Sequence, residues 1–64
     1  MNGVFVQLDS NKRMGFIETK GGKRYPFEIL FTDETRYKLY DKVYFDLDNT
    51  DSSWMFCINL NKLN

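Results

Sequence analysis

The feature that most restricts the fold is a two-residue hydrophobic period that returns in short bursts. Val43, Phe45 and Leu47 alternate with Lys42, Tyr44, Asp46 and Asp48, so an extended chain here has one apolar face and one wet face. Trp54, Phe56, Ile58 and Leu60 alternate with Met55, Cys57, Asn59 and Asn61, and the start of that segment is apolar on both faces. Residues 4–8, 14–18 and 25–30 are three further apolar segments rich in strand formers. Turn chemistry separates them. Asp9-Ser10-Asn11 lies between the first two, and Lys20-Gly21-Gly22-Lys23 between the second and third, where a primed hairpin turn needs positive φ. After the third segment, Thr32-Asp33-Glu34 predicts one helical turn reaching Tyr37, with acids at its N-terminus. Asp48 to Ser53 reads as a polar turn.

Five short strands, three consecutive and two after a longer excursion, predict a small all-β domain. The arrangement that suits them is a five-stranded antiparallel Greek-key barrel of the oligonucleotide-binding type, since closure removes exposed edges. An SH3-like barrel is the alternative. Phe5, Phe16 or Ile17, Phe27, Val43, Phe45, Ile58 and Leu60 are the expected core. The chain has 64 residues, which reads as one domain spanning 1–64; a chain of this size buries only about 60% of the surface its unfolded form exposes.

Composition removes several classes of function. The chain has no histidine and a single cysteine, Cys57, which excludes an intramolecular disulfide and a conventional zinc site. Cys57 reads as a packed residue. No nucleophile and base pair up and no glycine loop cradles phosphate, so an enzyme is not expected, nor a cofactor. Asp46, Asp48 and Asp51 lack the glycine and the distal glutamate of a calcium loop. No apolar run approaches the ~18 residues of a membrane span, and nothing near Met1 reads as a signal peptide; a cytoplasmic protein without a membrane partner is expected.

Charge is balanced in sum but not in distribution. Nine Lys and Arg face nine Asp and Glu. Lys12, Arg13, Lys20, Lys23 and Arg24 oppose only Glu18 between residues 12 and 24, whereas residues 25–64 carry four cations and seven acids. A hairpin bearing Lys12, Arg13, Lys20, Lys23 and Arg24 would present a local positive field on an acidic body. The same lysines also serve solubility and block edge pairing.

One motif points to a ligand. Lys12, Gly15, Phe16, Ile17 and Glu18, preceded by Gly3, Phe5, Leu8, Asp9 and Ser10, resemble the opening strands of the cold-shock domain family at the same spacing. Lys42 to Leu47 and Ile58 to Leu63 resemble its fourth and closing strands, so the likeness covers nearly the whole chain. The resemblance implies a barrel that stacks single-stranded DNA or RNA on the solvent side of its first three strands, with Lys12, Arg13, Met14, Phe16 and either Phe27 or Tyr25 forming the platform.

The departures fall on ligand-facing positions. Val6 and Gln7 stand where the family has a lysine and a tryptophan, Arg13 and Met14 where it has a glycine and an aromatic, and Pro26 and Glu28 where it has a ring and a histidine. Base stacking on a ring is worth roughly 1–3 kcal/mol, so the losses predict weak binding unless Tyr25, Tyr37, Tyr40, Tyr44 or Trp54 replace them. The alternative is a protein-interaction module, a small regulator or inhibitor docking a partner on the same face, made apolar by Val6, Met14, Pro26 and Ile29. The Asn, Lys, Phe, Tyr and Asp bias of an AT-rich genome fits a phage-encoded regulator of that kind.

Overall fold

The computed structural model describes residues 1–29, 36–48 and 55–63. Five antiparallel strands form one sheet: β1 (Asn2–Asp9), β2 (Met14–Thr19), β3 (Arg24–Glu28), β4 (Lys42–Asp48) and β5 (Phe56–Lys62). Their order is β3-β2-β1-β4-β5. The first strand in sequence is therefore the middle strand in space, held by β2 on one side and β4 on the other. The expected helical turn over Thr32, Asp33 and Glu34, the turn after Asp48, Asp51 and Trp54 lie outside the described residues.

Both connections form where turn residues predict them, but the second is a three-residue loop over Lys20, Gly21 and Gly22, not the expected primed two-residue turn. Asp9 Oδ1 accepts hydrogen bonds from the backbone N–H groups of Asn11 and Lys12, at 3.1 and 3.2 Å, so a carboxylate closes the β1–β2 connection. In the second turn Gly22 takes φ of +87°, a conformation that costs glycine nothing. Gly22 N–H and Thr19 N–H donate to Thr19 O and Lys23 O, at 2.9 and 2.8 Å.

The core is Phe5, Ile17, Phe27, Ile29, Val43, Phe45 and Cys57, with Leu8, Tyr25, Tyr37, Leu47 and Leu60 packed around it. Tyr37 stacks on Phe5, centroids 4.8 Å apart, and meets Phe27 edge-on at 5.9 Å; such pairs add about 0.5–1.5 kcal/mol beyond their burial. Gly15 makes this packing possible. A Cβ there would sit 2.5 Å from the Gln7 carbonyl oxygen and 2.6 Å from the Phe27 ring, so any side chain would push Phe27 off the strand.

Two bulges set which residues face this core. Phe5 pairs with Ile17 and Gln7 with Phe16, leaving Val6 as an extra residue in β1. In β5, Tyr44 pairs with Asn61 and Asp46 with Ile58, and Asn59 in the same stretch takes a left-handed φ of 54°. This second bulge corrects an expectation. Ile58, assigned to the core from its period, is exposed, and Cys57 points inward instead. Leu60 returns to the core side because the bulge shifts the alternation by one residue. Ile17, not Phe16, is the core member of its pair.

Candidate functional site

The pairing of β2 with β3 decides what the solvent face carries. Thr19 and Lys23 share a hydrogen bond at one end of the ladder, and Ile29 N–H donates to Arg13 O at the other. Alternation between these ends makes Met14 with Glu28, Phe16 with Pro26, and Glu18 with Arg24 the non-hydrogen-bonded pairs. These are the pairs whose side chains come closest. Pro26 therefore loses no ladder bond to β2, because the N–H it lacks would have pointed the other way. Pairing with β1 adds Asp9 beside Met14, Gln7 beside Phe16 and Val4 beside Glu18.

The outward face of β1, β2 and β3 thus consists of three rows. Phe16 is half-buried between Gln7 and Pro26, and Met14 is half-buried between Asp9 and Glu28. In the third row Arg24 Nε lies 3.0 Å from Glu18 Oε1, so this cation is already matched by a carboxylate. The face also carries acids beside its apolar residues, which raises the cost of bringing a phosphate to Met14.

The proposed site residues separate into groups. Met14 and Phe16 lie together on the face. Lys12 is exposed in the β1–β2 turn, and Arg13, next to it, is half-buried with φ of 53°. Lys20 and Lys23 are exposed at the opposite end of β2. A six-residue strand is about 20 Å long, twice the ~10 Å over which salt screens exposed charges at 0.1 M. The five cations of residues 12–24 therefore do not make one field. Phe27 does not belong to the face at all. It is fully buried, because its position pairs with Gly15 on the core side; this corrects its assignment to the platform. Tyr25 likewise packs against the core, its ring centroid 6.4 Å from that of Phe45.

Sequence reasoning placed Tyr40 and Tyr44 only among rings of undecided role. Both are exposed, Tyr40 at 74% and Tyr44 at 45%. Near them Asn2, Val4, Glu18, Lys20, Lys42 and Leu63 line a shallow depression of about 480 Å³ on the solvent side of β2, β1 and β4. The period of β4 carried the signal for Tyr44, which stands on its wet face. Nothing local marked Tyr40. Comparison with family models, with curated proteins and with solved structures gives no match.

Proposed function

We propose that the chain is a cold-shock-like domain that binds single-stranded DNA or RNA weakly, on a small Greek-key barrel of the oligonucleotide-binding type and in the cytoplasm. The strand order supports the barrel: with β1 between β2 and β4, closure needs only that β3 meet β5. Those two strands already approach, Cys57 Sγ lying 3.9 Å from the Tyr25 carbonyl oxygen. The observation that carries the functional reading is the outward placement of Met14 and Phe16 side by side on β2, flanked by β1 and β3. A ring half-open to solvent on a three-stranded surface is a stacking platform for a base, since every base has a π-face.

The test is an NMR titration with oligo-dT and oligo-U at low salt, where electrostatic attraction is strongest. Phe16→Ala should weaken binding by about 1–3 kcal/mol while the domain stays folded, and Lys12→Ala should lower the salt slope by about 0.7 for one lost phosphate contact. Absence of binding at low salt, or a Phe16→Ala protein that unfolds, overturns the reading. One observation favours a second reading, a protein-interaction module: Asp9 and Glu28 flank Met14, an apolar spot rimmed by acids that suits a cationic protein surface better than a phosphate. Glu28→Lys separates the two, strengthening oligonucleotide binding under the first and abolishing partner binding under the second.

A further inference from the structure

A second group of exposed rings and cations stands on β4 and the turn before it, Tyr40 and Tyr44 with Lys38 and Lys42. Of the four tyrosines, Tyr25 and Tyr37 are committed to the core. Tyr40 and Tyr44 are the exposed pair. Between them exposure alternates: Tyr40, Lys42 and Tyr44 face solvent, while Val43 and Phe45 are fully buried. The backbone of Tyr40 and Asp41 is already tied to β1, Tyr40 N–H donating to Phe5 O at 2.7 Å and Phe5 N–H to Asp41 O at 3.2 Å. Lys42 and Tyr44 therefore stand about 6.7 Å apart on the solvent face of the extended β4, and Tyr40 is anchored in the turn that leads into it.

The backbone at Tyr40 is unusual. Its φ is 70°, in the left-handed region that a bulky side chain enters only at a cost. Glycine or asparagine would form the same turn, which Asp41 N–H closes by donating to Lys38 O at 3.2 Å. A tyrosine that is strained in the backbone and three-quarters exposed contributes little to the fold that holds it. Strain of this kind collects where a side chain is kept for function.

Charge selects the occupant. Lys20 and Lys42 border the depression beside this row, and Lys38 is exposed two residues before Tyr40. Among the described residues none of these three ammonium groups has a carboxylate within ion-pair distance. The acids nearby are answered by cations of their own, Glu18 by Arg24 and Asp41 by Lys62 at 3.1 Å. Asp46, the next exposed position after Tyr44, accepts from Asn59 Nδ2 and marks where the positive surface ends. The Met14 row offers the reverse, acids on both sides.

We propose that a single strand lies along the solvent side of β4, with bases on Tyr40 and Tyr44 and phosphates at Lys42, Lys20 and Lys38. This rests on the reading of the domain as a single-strand binder and relocates the centre of its site. The probe is heptathymidylate at low salt, added to the isotope-labelled full chain. Amide shifts should concentrate at residues 40–44 and at Lys20. Tyr40→Asn and Tyr44→Thr, which keep the turn and the strand propensity, should each weaken binding roughly 5- to 150-fold. Tyr40→Asn should do so while melting no lower than the parent. Shifts confined to Met14, Phe16 and Glu28 overturn this inference and leave the single-strand reading standing. A Tyr40→Asn protein that melts well below the parent also overturns it, since the ring is then structural. No shift anywhere overturns both.

Discussion

Arg13 and Gly15 stand two positions apart and put opposite demands on the backbone. Gly15 has no room for a Cβ, whereas Arg13 has a side chain where φ is 53°. An L-residue in the left-handed region costs roughly 1–2 kcal/mol relative to glycine. Arg13→Gly should therefore stabilise the domain by about 1 kcal/mol, a rise in Tm of roughly 4–8 °C for a domain of this size, measured by calorimetry; an unchanged or lower Tm refutes the strain. Cys57 gives a second prediction at this scale. Burial pushes its thiol up from 9.0 to about 12. A folded pKa above the unfolded one means the folded state holds the proton longer, so its stability is complete below pH 9 and declines as pH rises towards 12. Urea midpoints between pH 8 and 11 should fall, and fall less steeply in Cys57→Val. Much at this scale was legible in the sequence: Asp9 and Gly22 form their turns for the reasons their chemistry gives, and Met14 and Phe16 face outward together. Arg13 and Tyr40 were not legible as left-handed residues, because neither side chain prefers that region and the sheet register imposes it.

Strands were legible where period and turn residues agreed, and misassigned where a bulge intervened. The assignment of Ile58 to the core assumed that alternation runs unbroken from Phe56 to Leu60. Asn59 breaks it, with a φ of 54° that asparagine tolerates better than other side chains do. A lone asparagine in a strand is too weak a signal to announce a bulge. Its role is testable: Asn59→Val should cost about 1–2 kcal/mol in urea unfolding, since a β-branched residue resists the left-handed region, and Asn59→Gly should cost far less. Equal costs would show that the bulge does not depend on residue 59. Phe27 is a different case: its period put it in the core, where its pairing with Gly15 holds it, and only the family resemblance offered it to the platform. Glu28 pairs with Met14 on the solvent side, the placement that keeps its carboxylate out of the core.

Across the whole molecule the balanced sum of charge conceals two surfaces of different character. Acids border the apolar row of Met14, whereas lysines with no ion pair among the described residues lie near Tyr44 and the turn that holds Tyr40. Linear sequence counted cations by segment, and so grouped Lys12 and Arg13 with Lys20 and Lys23, although β2 holds them apart; pairing brings Lys20 instead to Lys42, which is distant in sequence. The order of the strands has a consequence in time as well. Phe45 N–H donates to Met1 O at 2.8 Å, and Asn2 pairs with Tyr44, so the middle of the sheet joins segments separated by more than half the chain. The two hairpins at the front and the one at the back are local and can form on their own. The β1–β4 ladder must first close a long loop, an entropic toll that local contacts avoid. The pairing at the seam beside Tyr44 is thus the least local in the sheet and carries its largest loop-closure cost.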